Sequence, residues 1–143
     1  MEEELGEPLP YWDWTEDDEV PDLWEGINSP LKEGVPSQCD GNKCKCEGKQ
    51  FVSRSPNITI DKEVQKKNTK AAFEKRNFKE FHNRITQPHN WIHIDVGCDM
   101  SISSNAAYDP IFFLHHTYVD LQFAYWQAGL HKSFQPTNRV GST

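Results

Sequence analysis

At 143 residues the chain has room for one domain and little for two, and with 36% apolar residues and a mean hydropathy of −0.79 it is thin in core material. Its formal charge of −7 argues against a nucleic-acid surface. The basic residues cluster from Lys62 to Lys79, but Glu63, Glu74 and Glu80 interleave with them, as on a solvated helix. No apolar run approaches the roughly 18 residues that a membrane span requires.

In chain order, Met1 to Glu7 is acidic and has no apolar core, so it does not read as a signal peptide. Residues 8–27 open with the aromatic segment PLPYWDW, which Pro8 and Pro10 keep from being a long helix. Residues 28–68 read as loop, broken by Pro30, Pro36 and Pro56. From Asn28 to Lys70 only 10 of 43 positions are apolar, against 29 of 60 from Ala71 to Leu130. The core is therefore expected in the C-terminal half and around Tyr11 to Trp24. The loop carries Cys39, Cys44 and Cys46, with Cys98 further on. Their spacing fits no common zinc template, so a disulfide-stapled loop and a small metal knot both stay open. Asn57-Ile58-Thr59 is an N-glycosylation sequon and points to a secreted or lumenal protein.

The region 69–127 carries the helices. Ala71, Phe73, Phe78, Phe81 and Ile85 give one apolar face and predict a helix over 69–85. Pro88 is expected to break it and to open a second helix over 88–95, with Gly97 as its stop. Asp109 and Pro110 then suit the cap and first turn of a helix running to about Gln127, with Gly129 as terminator. Residues 128–143 read as a polar tail. No run alternates as a strand does, so the expected fold is mainly α with long irregular loops.

The chemistry sits on the six histidines, 82, 89, 93, 115, 116 and 131. His89 and His93 lie four apart, which on a helix places both imidazoles on one face, as two ligands of one metal require. Trp91, Ile92, Ile94 and Val96 surround them, and buried imidazoles need partners. Asn90 stands where a zinc protease of the HExxH kind needs its glutamate, which disfavours that chemistry. A third imidazole would come from His115 or His116, and spacing does not choose between them. Three imidazoles without thiolate or carboxylate suit copper and do not exclude zinc. Pro88 is expected to keep His82 off the shared face, and His131, past Gly129, reads as surface.

PYWDWT, HNWIH and YDPIFFLHHTYVDLQFAYWQ, in that order, resemble the type-3 copper family of tyrosinases, catechol oxidases and molluscan haemocyanins. The resemblance covers roughly Leu9 to Trp14 and His89 to Gln127. It implies a metal set of His89, His93 and His116, with His115 packed beside the site. It implies a second-sphere role for Asn90 as well. The implied fold is half of a four-helix bundle, a partial copper-binding domain over 1–143 that holds the second of two copper ions. The first-copper half, which in this family precedes the PYWDW segment, would be a missing partner. The implied activity is oxidation of phenols or catechols by dioxygen; the alternatives are an oxygen-carrier fragment or a truncated product inactive by itself.

Overall fold

A computed structural model describes residues 9–21, 39–40, 43–44, 54–55 and 57–129, the two central pairs as backbone alone. The acidic end 1–8, Trp24, Cys46, His131 and the tail from 130 lie outside the described residues. The fold is mainly α: helix α1 is Lys62–Phe73, α2 is Phe78–Val96 and α3 is Ile111–Ala128. Two 3-10 turns, Cys98–Ser101 and Ala106–Tyr108, join α2 to α3. Within the cysteine loop, β1 (Cys39–Asp40) pairs antiparallel with β2 (Lys43–Cys44). Strands of two residues are too short to leave an alternating pattern in sequence.

The expected helix over 69–85 is divided in two. α1 begins at Lys62, where the Asp61 carboxylate accepts the Val64 amide at 3.1 Å, and it ends at Phe73. Its buried residues Gln65, Asn68, Thr69 and Ala72 keep helical spacing, but three of them are polar. A search for apolar periodicity passes over such a face. After a turn at 74–77, Asn77 caps α2 by accepting the Glu80 amide at 3.0 Å. The two helices form an antiparallel hairpin: Arg84 reaches back to Asn68 at 3.0 Å, and Ala72 packs with Phe81 and Ile85.

The expected break at Pro88 is also corrected, because α2 runs unbroken from Phe78 to Val96. A mid-helix proline forfeits one hydrogen bond and crowds a carbonyl, at about 3 kcal/mol. Here Phe81, Ile85, Pro88, Ile92 and Val96 form one continuous buried stripe, and burying it offsets that penalty.

α3 follows the sequence reading closely. The Asp109 carboxylate accepts the Ile111 amide at 2.9 Å, and Gly129 closes the helix in the left-handed region with φ 66°. The main core joins Tyr11, Trp12 and Trp14 to Ile92, Val96, Met100, Ile111, Leu114 and Tyr118. Trp12 and Trp14 are completely buried. The Trp12 amide donates to the Leu114 carbonyl at 3.2 Å, laying the aromatic segment along α3. A second cluster sets Phe73 and Phe81 against Phe123 and Trp126, whose indole N–H donates to the Lys75 carbonyl at 2.7 Å.

Candidate metal centre

α2 and α3 bring four imidazoles together: His89, His93, His115 and His116 offer ligand atoms that all lie within 4.8 Å of one another. Among the described residues no acidic or cysteine side chain joins that group. His89 and His93 face inward because four residues return a helix to the same side.

Three of the four rings are held in one tautomer. His93 Nδ1–H donates to the Met100 carbonyl at 2.7 Å, and His116 Nδ1–H donates to the Phe112 carbonyl at 2.7 Å. A carbonyl only accepts, so the proton must sit on Nδ1 in both. His89 Nδ1–H donates in the same way to the Asn90 side-chain oxygen at 2.8 Å. Each Nε2 is then left as a bare lone pair. His89 Nε2 and His116 Nε2 are 3.1 Å apart, two acceptors face to face with no proton for either. A cation between them, either a metal ion or a proton shared by the two rings, relieves that contact. The separation matches two nitrogens bound to one ion at about 2.0–2.1 Å each, so the residues fit a metal.

His115 differs from its neighbours. It is fully buried, and no side-chain group pairs with either ring nitrogen, though the His89 backbone lies close enough to favour its charged form. Its ring stacks on His89 with centroids 5.0 Å apart and planes 20° from parallel. Its centroid also lies 4.9 Å from those of His93 and His116, so the four rings crowd together. Trp14 packs near it with centroids 5.9 Å apart.

Burial lowers the pKa of His89, His93 and His116, against the hydrogen bonds to Asn90, Met100 and Phe112 that favour the charged form. His115 is pushed far lower by its burial, and the three nearby imidazoles add to the effect. All four rings are thereby biased toward the neutral form that a metal needs.

His82 does share the α2 helix with His89 and His93, contrary to the expected break. It is nonetheless outside the cluster, since seven residues of helix carry it about 10 Å along the axis. It is exposed and stacks on Phe78 at 5.6 Å. The anchoring carbonyls of Met100 and Phe112 were not foreseen. Phe112 stands one helical turn before His116 and was open to inference; Met100, beyond the Gly97 turn, left no signal. An open cleft of about 420 Å³ meets the site between His89, His93 and Phe112, with Asn90, Ser101 and Ser103 as its polar groups.

The profile described as the common central domain of tyrosinase matches residues 2–129. The chain therefore belongs to the tyrosinase family. Among curated proteins it is similar to Hemocyanin 2 of Megathura crenulata, at 29% identity over 92% of this chain and 4% of the relative. It is also similar to unit G of the Helix pomatia hemocyanin beta-C chain, at 32% over 84% of this chain and 30% of the relative. A Streptomyces glaucescens tyrosinase matches at 27% over 83% of this chain and 53% of the relative. The chain thus spans from 4% to about half the length of these relatives. No solved structure matches it.

Proposed function

We propose that His89, His93 and His116 hold one copper ion, and that the chain is the second-copper half of an oxidoreductase acting on phenols or catechols with dioxygen. The observation that carries this is the shared tautomer: three Nδ1–H groups committed to fixed acceptors, three Nε2 lone pairs turned inward. Copper, when bound, supplies one-electron redox chemistry toward dioxygen. The chain's own groups hold and orient the ligands, and Asn90 sets the tautomer of His89. The cleft beside His89 and His93 is the entry for a small aromatic molecule. The other copper site would be supplied by a separate first-copper segment with its own histidines.

A second reading, an oxygen-carrier unit, is favoured by the name hemocyanin on most of the similar curated proteins. We also propose that the chain enters the secretory pathway and that a disulfide forms among Cys39, Cys44 and Cys46 or with Cys98. In support, Asn57 and Thr59 of the sequon are exposed, and Cys98 is buried and partnered. Among the described residues no helix is long and apolar enough to cross a membrane.

The ligand assignment is tested by replacing each histidine with alanine and titrating with cupric ion. His89→Ala, His93→Ala and His116→Ala should each abolish tight binding and alter the nitrogen hyperfine pattern. His115→Ala should retain three nitrogen ligands. Full affinity in His116→Ala with loss in His115→Ala would overturn the assignment. Turnover of catechol against reversible oxygen uptake, once the first-copper segment is supplied, separates the two functional readings.

A further inference from the structure

The site depends on two helices meeting at one distance, and the residues that touch both helix ends lie outside the histidine cluster. α2 brings His89 and His93, α3 brings His116, and a single dipeptide from the preceding loop contacts the end of one and the start of the other. Arg54 grips Asp109 with a two-pronged contact, Nε to Oδ2 at 2.7 Å and Nη2 to Oδ1 at 2.8 Å. Asp109 is completely buried, and its Oδ1 also accepts the Ile111 amide at 2.9 Å, in the first turn of α3. The next residue, Ser55, donates its backbone N–H to the Val96 carbonyl at 2.8 Å, at the last residue of α2. The approach is so close that a Cβ on Gly97 would lie 3.0 Å from the Ser55 Cβ.

We infer that Arg54 and Ser55 act as a positioning clamp, fixing the end of α2 against the start of α3 so that His89 and His116 face each other. The inference rests on the proposed metal centre for its consequence, though the clamp itself is a property of the metal-free protein. Arg54 is the positioning residue of the pair. Its planar fork matches both oxygens of a carboxylate, which a lysine ammonium cannot do. Lysine keeps the charge beside buried Asp109 and so keeps the fold. It gives up the second contact and, with it, the fixed angle between loop and helix. Ligand sets tolerate errors of only about 0.5 Å, so a loosened α3 start should reach the metal as altered geometry.

The test compares the wild-type chain with Arg54→Lys, Asp109→Asn and the double variant. Ile85→Ala, in the second core cluster away from the clamp, serves as the control for lost stability alone. In metal-free protein, ring-proton nuclear Overhauser effects between His89 and His116 should be present in wild type and in Ile85→Ala. They should be weakened or absent in Arg54→Lys and Asp109→Asn. Cupric ion should bind both clamp variants at least tenfold more weakly than wild type, with a shifted copper hyperfine splitting. The double variant should be no worse than either single one, as expected of residues acting through one contact. If Arg54→Lys folds and keeps the ring-proton contacts and the cupric spectrum, the clamp is overturned. The same holds if Ile85→Ala, matched in thermal loss, reproduces its effects. Should wild type fail to bind copper while Arg54→Lys still loses the ring contacts, the clamp stands and the metal assignment falls.

Discussion

Asn90 has one acceptor oxygen, and the structure uses it to hold the Nδ1 proton of His89 at 2.8 Å. Removing it frees the ring to exchange tautomers, so Asn90→Ala should weaken copper binding about 10- to 100-fold, as loss of a ligand's orienting partner does. Asn90→Asp keeps the acceptor and should stay near wild type; calorimetric titration separates the two. Tyr118 poses a different problem, since its ring stacks on Tyr11 at 5.6 Å and meets the edge of Trp14 at 5.2 Å, inside the core. Thr15 gives its hydroxyl proton to Asp13 at 2.6 Å, which leaves the Tyr118 hydroxyl to donate to Thr15 at 3.1 Å. Burial raises the Tyr118 phenol well above its ordinary value, and the nearby Asp13 charge adds to the rise. A raised folded-state value means that the folded protein holds this proton more tightly than the unfolded chain. The stability linked to it is intact below about pH 10, the unfolded value, and declines as pH climbs from there through the folded one. Urea unfolding should show that alkaline loss in wild type. Tyr118→Phe should cost about 1 kcal/mol at neutral pH for the lost hydrogen bond and show less of the alkaline decline.

At the scale of elements, the two glycines that end α2 and α3 are not equivalent. Gly129 sits at φ 66° and ψ 16° with open space where a side chain would go. Gly97 sits at φ 72° and ψ −171°, a region that only glycine occupies readily, with Ser55 against it. Gly129→Ala should therefore cost about 1 kcal/mol, while Gly97→Ala should cost about 3 kcal/mol from backbone strain and collision. Chemical denaturation of the two variants should show that order, and equal losses would mean that the Ser55 contact is not made. Sequence had marked both glycines as stops, because a terminating glycine follows from local rules. It marked α3 well for the same reason, with Asp109, Pro110 and Gly129 all acting on their own neighbourhood. It failed where the deciding force was tertiary. The buried face of α1 is Gln65, Asn68 and Thr69, which no apolar pattern announces, and Pro88 is carried inside α2 by packing along the whole stripe. The histidine pair was legible from its four-residue spacing. Spacing left His115 and His116 open, and the preference for His116 came from the resemblance; the carbonyl of Phe112 that holds its Nδ1 is something only the fold presents.

For the whole molecule, the histidine inventory limits what one chain can do. Six histidines are present, and four of them form the cluster. Within that cluster His89, His93 and His116 have Nδ1 engaged, and these three are the set proposed above to hold one ion. Of the other two, His82 is exposed against Phe78 about 10 Å along the axis, and His131 lies outside the described residues. A second three-histidine site cannot be assembled from what remains. Copper binding by the 143-residue chain should therefore saturate at one ion. A cuprous ion gives up one electron readily, whereas taking two electrons from a catechol to dioxygen in a concerted way asks for two such ions held close together. The copper-loaded chain by itself should oxidise catechol no faster than an equal concentration of free copper. Adding a polypeptide with a complementary three-histidine copper site should raise that rate, if it seats on the exposed apolar side chains of Ile94, which lines the cleft, and Phe113, next in sequence to the cleft residue Phe112. Phe113→Glu should then suppress the gain; because Phe113 packs on Phe112 at 5.4 Å, the single-ion titration is repeated on the variant to show that the ligand set still binds. Two copper ions per chain, with turnover well above free copper, would show instead that the chain completes a dinuclear centre from residues beyond this cluster.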